Sequence, residues 1–505
     1  MKIRNSEISA KERGMAIVLC LLCCMLSANA QSVLNLDSCR NLALRNNKQL
    51  NISKLKKEVA TNTRKAAHTK YLPKVSANGM YQFTSREISI LNNEDKNTLS
   101  NLGTTSGHIG NSASNVIGQL TQQGIISGEQ AQLFGKILNQ AGSTIGSSLN
   151  QIGQHIRDAF DTDTRNLFTA DILITQPIFM GGAITAANRM AELSEQLADN
   201  SIENSRQSTI YETDKAYWLV VSLKQKQRLA DSYLDLVKKL HSDVEKMVND
   251  GIATKADGLK VAVKVNEAEM AKQKVDDGLT LAKMLLCQIC GIDINGDITL
   301  ADEDNEDIAA TTAVSDINKE EAFENRTELK MLQNTIDISK ENTKLVRSAY
   351  LPKVAAMGGY MMSNPCLYNG FERKFSGMFH VGVVVQVPVW SWFEGRYKMN
   401  ATKAATNIAQ MELNDAQEKI ELQINQTSFQ TREARKRLSM AEKNIESAKE
   451  NLRCANIGFK EGIMSTTDVM TAQTAWLEAQ SRKIDAEIDV ALSNTNMKKV
   501  MGTLQ

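Results

Sequence analysis

Two cysteines near the middle of the chain have the spacing of a redox or metal-binding motif. Cys287 and Cys290 enclose Gln-Ile at the end of a predicted long helix. A structural zinc site needs four ligands, and no second pair with this spacing follows residue 30. The same spacing places both side chains on one helix face, where cysteine behaves as a small apolar residue. The sequence therefore favours buried core residues over a metal or redox centre.

One histidine also has an acidic partner at helical spacing. His241 and Glu245 are four residues apart, so they share a face of a predicted helix. Such pairs are common on the solvated flank of a coiled coil, and a metal site needs further ligands. The chain also lacks a nucleophile elbow, a phosphate-binding loop and an HExxH signature. We therefore predict no catalytic residue, no metal site and no cofactor.

Two aspartates occupy predicted helix starts. Each completes a Ser/Thr-x-x-Asp pattern, from Thr254 to Asp257 and from Ser465 to Asp468. In this pattern both side chains satisfy backbone N–H groups at the start of the helix. A glycine and an isoleucine precede each pattern, as Gly251-Ile252 and Gly462-Ile463. Because glycine commonly ends a helix in the left-handed conformation, the sequence predicts two tight turns between helices.

The elements that carry these residues are predicted to be long helices. The chain has five prolines, and residues 178–351 and 389–505 contain none, so nothing there interrupts a helix. Apolar residues recur in the first of these ranges at heptad spacing, which indicates helices that pack together. They are Leu223, Ala230, Val237 and Val244 at one core position, and Tyr233, Leu240 and Met247 at the other. The predicted helices are 36–70, 183–248, 254–290, 319–349, 395–459 and 464–501.

The segments beside the prolines alternate with the period of two that is typical of β-strands. Every second position from Phe379 to Val389 is apolar, and the intervening face is mostly small or polar. The segments around 75–83 and 168–174 follow the same pattern, and the first of these recurs from Val354 to Tyr360. Four strands of this length fit either a soluble sheet or a membrane β-barrel. The aromatic residues beside them fit either a membrane-interface belt or ordinary packing: Tyr71, Tyr350, Trp390, Trp392 and Phe393.

The chain also repeats itself. Tyr71-Leu-Pro-Lys-Val75 recurs as Tyr350-Leu-Pro-Lys-Val354, 279 positions later, whereas Pro177, Gly251 and Asp257 recur 211 positions later as Pro388, Gly462 and Asp468. The first copy therefore holds 68 additional residues, within a Gly-, Ser-, Asn- and Gln-rich insertion at about 87–163. We expect this insertion to be an outward loop between two strands. Apolar residues at helical spacing predict that part of it is an amphipathic helix: Leu133, Phe134, Ile137, Leu138, Ile145, Leu149, Ile152 and Ile156.

The repeats and the chain start give the domain organisation. We predict a signal peptide at 1–30, cleaved near Ala30, because basic residues precede an apolar run that ends in small residues. The first repeat covers 31–294, a linker covers 295–318, and the second repeat covers 319–505. The formal net charge is +1 at pH 7. This balance argues against nucleic acid as a partner.

Three kinds of motif, in the same order in both repeats, resemble the TolC family of outer-membrane efflux ducts. They are the Tyr-Leu-Pro-Lys junctions, the strand ends Gln176-Pro-Ile-Phe-Met-Gly-Gly182 and Val387-Pro-Val-Trp390, and the stretch Gly462-Ile-Met-Ser-Thr-Thr-Asp-Val-Met-Thr-Ala-Gln473. The resemblance covers nearly all of the chain after the signal peptide. It implies a mainly α-helical homotrimer whose strands build one twelve-stranded membrane β-barrel, continued by a long helical tunnel. Four strands alone cannot close a barrel, so the residues themselves also indicate an oligomer if they cross a membrane.

The same resemblance implies a function. We expect the exit duct of a tripartite efflux or type I secretion system, multidrug efflux among them, in the outer membrane with a periplasmic helical extension. Its partners would be outer-membrane lipid, a periplasmic adaptor of the membrane fusion protein class and an inner-membrane pump. Conduction would be passive, and the protein would not be an enzyme. The alternative is a secreted or periplasmic coiled-coil scaffold or adaptor protein without channel activity.

The resemblance finally implies roles for particular residues. In the family, acidic residues after the glycine turns narrow the periplasmic mouth, and the matching positions here are Asp257, Lys260, Asp468 and Thr471. Because two of these four are not acidic, we expect a mouth with weak negative charge. The residues expected to face the adaptor are Gly251, Ile252, Gly462 and Ile463. Those expected at strand-to-helix junctions are Pro73, Pro177, Pro352 and Pro388. For the two aspartates, helix capping alone is an equally good explanation.

Overall fold

The computed structural model describes residues 33–86, 91–101, 109–124, 127–141, 146–160, 165–305, 319–366 and 373–505. The predicted signal peptide lies outside these residues, as do parts of the insertion and of the linker. The chain divides into two compact units. The helical unit holds the described residues of 1–65, 188–343 and 400–505, and the sheet unit holds the described residues of 66–187 and 344–399.

The element order repeats the pattern of helix, strand, strand, long helix and returning helix in both halves. The strands are β1 Val33–Leu34, β2 Lys74–Phe83, β3 Asn166–Met180, β4 Thr299–Leu300, β5 Lys353–Asn364 and β6 Ser376–Gln386. The helices of the first half are α1 Leu36–Asn46, α2 Lys48–His68, α3 Asn93–Ser100, α4 Ile109–Gln122, α5 Gly128–Ala141, α6 Gly146–Phe160, α7 Ala183–Asn249 and α8 Lys255–Cys290. Those of the second half are α9 Lys319–Asn325, α10 Thr327–Ser348, α11 Glu394–Lys460 and α12 Thr466–Val500.

The sheet unit is built on four antiparallel strands in the order β2-β3-β5-β6. Their side chains alternate between two faces, as the sequence period predicts. On β6 Val381 is 84% exposed. The exposed large apolar residues of β3 are Phe168, Ile172, Ile174, Ile178 and Phe179. This confirms the prediction of a mainly helical chain with four strands. Among the described residues, β2 and β6 each pair with only one neighbour, so the sheet has two open edges.

A close backbone contact fixes the junction between β3 and α7. Gly181 has a φ of +63°, a conformation that side chains rarely adopt. A Cβ atom there would lie 2.7 Å from the Ser348 carbonyl oxygen and 2.9 Å from the Leu351 Cβ. Only glycine therefore fits at this position, where β3 ends and α7 begins. The Tyr-Leu-Pro-Lys junction of the second repeat lies beside it.

The prolines sit at irregular points of the sheet. Pro73 and Pro352 immediately precede β2 and β5, and Pro388 follows the end of β6. Pro177 lies inside β3, at the register shift opposite β5, where a residue without an N–H is tolerated. The alternating pattern extends to Val389, but β6 ends at Gln386, since Pro388 cannot donate to the ladder.

The insertion between β2 and β3 contains four helices, α3 to α6. The residues of the predicted helical stretch fall on α5 and α6, except Ile145, which lies outside the described residues. This confirms that part of the insertion is helical. The Arg157 Nη1 atom of α6 donates to the Ser100 Oγ atom of α3 at 3.1 Å, which joins the two ends of the insertion.

The helical unit packs around three clusters of buried side chains. Heptad residues of α7, including Val237, Leu240 and Val244, pack in one of them against residues of α8, α11 and α12. This confirms that the heptad face is a core. The other two clusters join α7 and α8 to α1, β1 and β4, and join α9 and α10 to α11 and the end of α12.

The two shorter predicted helices, 36–70 and 319–349, are each interrupted once in the structure. The predicted helix 36–70 ends at Asn46 and restarts at Lys48, since the Asn47 side chain accepts from the N–H groups of Gln49 and Leu50. The predicted helix 319–349 breaks at Arg326. That guanidinium is buried and donates to the Val500 carbonyl oxygen and to the side chain of Gln423.

Candidate functional site

The turn between α7 and α8 is a left-handed glycine turn. Gly251 has a φ of +75°, and its N–H donates to the Val248 carbonyl oxygen at 3.1 Å. The next N–H, of Ile252, donates to the Met247 carbonyl oxygen at 2.8 Å. These bonds satisfy carbonyl groups that the helix end would otherwise leave free.

The turn between α11 and α12 repeats this geometry. Gly462 also has a φ of +75°, and its N–H donates to the Phe459 carbonyl oxygen at 3.1 Å. The Ile463 N–H donates to the Gly458 carbonyl oxygen at 2.8 Å. The sequence repeat is therefore also a repeat of turn geometry. At both glycines a Cβ atom would meet nothing within 4 Å, so the conformation alone, and no neighbouring atom, requires glycine.

Both aspartates belong to complete capping boxes. The Asp257 N–H donates to Thr254 Oγ1 at 3.2 Å, and the Asp468 N–H donates to Ser465 Oγ at 3.2 Å. The carboxylates in turn accept from the N–H and hydroxyl groups of Thr254 and Ser465. The hydrogen bonds from Thr254 and Ser465 lower the pKa of each aspartate. Both groups therefore stay ionised at neutral pH.

The two aspartates differ in their charged neighbours. Lys260 Nζ lies 3.3 Å from Asp257 Oδ1, so the first-repeat charge is partly neutralised. In the second repeat the matching position is Thr471, whose hydroxyl donates to the Thr467 carbonyl oxygen. Within the described part of the chain, the Asp468 carboxylate accepts from Ser465 alone. Asp468 is thus the stronger negative charge of the pair.

The two turns lie at the same end of the helical unit. One buried cluster contains residues from the last part of α7, the first part of α8, the last part of α11 and the first part of α12. The residues nearest the turns in this cluster are Val244, Val261, Ala455 and Val469. Two helical hairpins therefore pack side by side behind one tip, which brings together Gly251, Ile252, Gly462 and Ile463.

The tip presents apolar side chains to the surface. Ile252 is 70% exposed and Ile463 is 82% exposed, although each follows a well-ordered hydrogen-bonded turn. Neither side chain is needed to fill the core behind it.

The sheet unit carries a second exposed apolar surface. Val381, Val383 and Val385 lie on one face of β6 and are all exposed. Beyond the strand, Trp390 packs edge-on against Trp392 and Phe393 with ring centroids 5.8 and 5.7 Å apart. All three rings are largely exposed, which favours an interfacial belt over core packing.

In the part of the chain that the structure describes, the residues whose spacing suggests metal binding do not form a metal site. Cys287 and Cys290 are fully buried, as the core interpretation predicts. His241 Nδ1 lies 3.8 Å from Glu245 Oε2 as an exposed helix pair. Within the described ranges, no three His, Cys, Asp or Glu side chains are placed to hold a metal ion. Over those same ranges, no helix is both long enough and apolar enough to cross a bilayer.

Several ion contacts were not predicted from the sequence, and two of them differ in the signal that the sequence carries. The Lys260 and Asp257 pair has the usual spacing of three residues along a helix, so that signal was available. Arg40 contacts the buried carboxylate of Asp214 with two hydrogen bonds, but 174 positions separate the two residues. No local pattern predicts such a pair.

Comparison with known proteins agrees with this geometry. The model of the family described as "Outer membrane efflux protein" matches residues 126–291 and 319–503. The chain is 23% identical over 381 residues to the outer membrane protein TolC of Vibrio cholerae, which covers 73% of this chain and 83% of that protein.

Solved structures show the same fold. The CmeC outer membrane channel of Campylobacter jejuni matches with a TM-score of 0.69 and 13% identity, over 93% of this chain and 86% of that one. The open state of the MtrE outer membrane channel of Neisseria gonorrhoeae matches with a TM-score of 0.62 and 14% identity, over 93% and 89%. The family match covers more than half of the chain, in two segments that lie in the two repeats. The chain therefore belongs to the outer membrane efflux protein family of TolC-like, non-enzymatic efflux channels, which lie in the outer membrane and extend helices into the periplasm.

Proposed function

We propose that three copies of this chain assemble into one efflux duct. The observation that carries the proposal is the four-stranded sheet with open edges at β2 and β6 and an exposed apolar face. Unpaired backbone groups cannot face lipid, so the edges of a membrane sheet need partners. Three copies supply twelve strands, which suffices for a closed barrel, whereas four strands are too few.

The tip formed by the two glycine turns is proposed to meet the periplasmic adaptor. Ile252 and Ile463 are exposed at one end of the helical unit and contribute nothing to its core. They offer apolar contact area on two rigid, matching turns. An adaptor that docks there would connect the duct to an inner-membrane pump, and the pump would select the exported solute.

The aspartates beside the tip are proposed to line the periplasmic aperture. Asp468 contributes most of the charge, because Lys260 offsets the charge of Asp257. Thr471 adds a polar group without charge. A ring of three Asp468 carboxylates would attract cations, and more weakly than a ring with a second acidic group at position 471. The Asp468 carboxylate can cap its helix and also line the aperture, since its capping hydrogen bonds lie at the surface.

The oligomer is tested by measuring the mass of the detergent-extracted protein. We expect a complex of three chains that resists dissociation in unheated samples and becomes a single chain on heating. Native mass spectrometry of the unheated sample gives the number of chains directly. A folded monomer in detergent, with its sheet edges unpaired, would contradict the proposal.

A further inference from the structure

Three buried cysteines gather where α1 meets the end of α8. Cys39 of α1 and Cys287 and Cys290 of α8 belong to one core cluster and are inaccessible to solvent. The neighbouring side chains of Asn46 and Asn47 donate to the carbonyl oxygens of Cys290 and Ile289 at 3.2 and 3.4 Å. The contact between α1 and the end of α8 is therefore specific, although the segments are about 250 positions apart in the sequence.

Two of these cysteines are direct neighbours. Cys290 Sγ donates to the Cys39 carbonyl oxygen at 3.6 Å. The interaction of the Cys290 thiol with the Cys39 side chain lowers the pKa of Cys39 despite its burial. Cys287 instead lies 3.9 Å from the Gly296 carbonyl oxygen. Cys39 and Cys290 are thus a pair, and Cys287 is the third thiol beside it.

The cellular compartment determines whether two neighbouring thiols are oxidised to a disulfide. The chain belongs to a family of outer-membrane channels with periplasmic helices, and the bacterial periplasm keeps thiols oxidised. We propose that Cys39 and Cys290 form a disulfide bond in the mature protein, which ties the N-terminal segment to the end of α8. In the structure both cysteines are free, and the Cys290 Sγ atom contacts the Cys39 carbonyl oxygen.

The reaction is an ordinary exchange with a disulfide-bearing oxidant of the periplasm. One cysteine thiolate attacks a sulfur of the oxidant, forms a mixed disulfide and releases the first oxidant thiolate. The second cysteine thiolate then attacks the cysteine sulfur of the mixed disulfide, which forms the Cys39–Cys290 bond and releases the second oxidant thiolate. The protein loses two protons and two electrons, and the oxidant becomes a dithiol or two thiols. Because both cysteines are buried after folding, exchange takes place before α1 closes against α8.

The crosslink would act on the unfolded chain more than on the folded one. It closes a loop that contains β2, β3, the insertion and α7, and long closed loops restrict the unfolded ensemble most. We therefore expect a strong reductant to lower the unfolding temperature of the wild-type protein. A Cys39→Ser variant should already unfold at the lower temperature and respond little to the reductant.

Differential alkylation of the wild-type protein tests the bond without any variant. Protein extracted from cell envelopes is denatured with a first alkylating reagent and no reductant, then reduced and treated with a second, mass-distinct reagent. Peptide mass spectrometry should find the second label on Cys39 and Cys290, and the first on Cys287, Cys366 and Cys454. The unreduced digest should contain the linked Cys39–Cys290 peptide. First label on both Cys39 and Cys290 would overturn the proposal.

Cys287 provides a matched control, since it is equally buried and one helical turn from Cys290. In Cys287→Ser, the label pattern of Cys39 and Cys290 should not change. In Cys39→Ser, Cys290 should move to the first label. A bond from Cys39 to Cys287, or between Cys287 and Cys290, would contradict the assigned pair. The wild-type labelling decides the question even if a variant fails to assemble.

Discussion

At the scale of single residues, a buried ion pair that the sequence does not predict joins α1 to α7. Arg40 Nε and Nη2 donate to the two carboxylate oxygens of Asp214 at 2.7 and 2.6 Å. The Asp214 side chain is 0% exposed, and its hydrogen bond raises the pKa of Arg40. A charge that is fully buried depends on its partner, because water cannot replace it.

Replacing Arg40 by methionine should therefore destabilise the protein strongly. The change keeps most of the side-chain volume but leaves the Asp214 carboxylate buried and unpaired, which costs about 3–5 kcal/mol. Denaturant unfolding of the helical unit, followed by circular dichroism, measures this. The control is Asp37→Asn, which removes an exposed contact of the same Arg40 and should cost less than about 1 kcal/mol. Equal losses in both variants would show that burial of Asp214 is not the cause.

The two aspartates at the tip allow a paired test of the aperture. Asp468→Asn should weaken the block of single-channel current by divalent cations, because it removes the charge that Lys260 does not offset. Asp257→Asn should change the block less. Asparagine can still accept the capping hydrogen bonds, so both helix starts should persist. Strong divalent block that is the same in Asp468→Asn and wild type would rule out the aperture role.

At the scale of elements, the two faces of β6 lead to opposite predictions for arginine substitutions at adjacent residues. Val383 lies on the exposed apolar face, and Val384 lies on the other face with His380 and Gly382. Arginine at Val383 should cost about 2–4 kcal/mol near the bilayer midplane, and arginine at Val384 should cost much less. The yield of heat-modifiable oligomer in outer membranes measures the difference. Equal yields would contradict the assignment of the lipid-facing side.

The glycine turns give a second element-scale prediction, now for docking. The double variant Ile252→Ser and Ile463→Ser should keep the fold and the oligomer, because both side chains lie outside the core. It should reduce adaptor binding and export at least several-fold. Leu281→Ser is the matched control, since Leu281 is an equally exposed apolar residue of α8 away from the tip. Export that falls equally in both variants would remove the specific role of the tip.

How well the sequence predicts an element depends on what determines that element. The sequence predicts the long helices α7 and α11 closely, because neither contains proline and α7 keeps an apolar heptad face. The sequence does not predict the helix breaks at Asn47 and Arg326, since each depends on a side chain that hydrogen-bonds to the backbone or to distant residues. It predicts the glycine turns and their capping boxes because glycine and Ser/Thr-x-x-Asp are local signals. The pairs Arg40–Asp214 and Cys39–Cys290 join distant segments, so only the fold brings them together.

At the scale of the whole molecule, one chain holds two repeats that differ mainly by an insertion. The repeat boundaries 31–294 and 319–505 remain a prediction, and the family match falls within both of them. Within its described residues, the insertion forms four helices between β2 and β3 and contributes no strand to the sheet. The alternative of a scaffold without channel activity does not hold, because the chain belongs to a family of efflux channels.

Single-channel recording of the purified oligomer in a planar lipid bilayer tests the central claim most directly. A water-filled duct that conducts passively should give discrete current steps above the bilayer baseline, with a current that is linear in voltage near zero. Flotation of the same protein with lipid vesicles establishes that it has inserted. A folded oligomer that inserts into lipid and yet gives no current steps at any voltage would contradict the account.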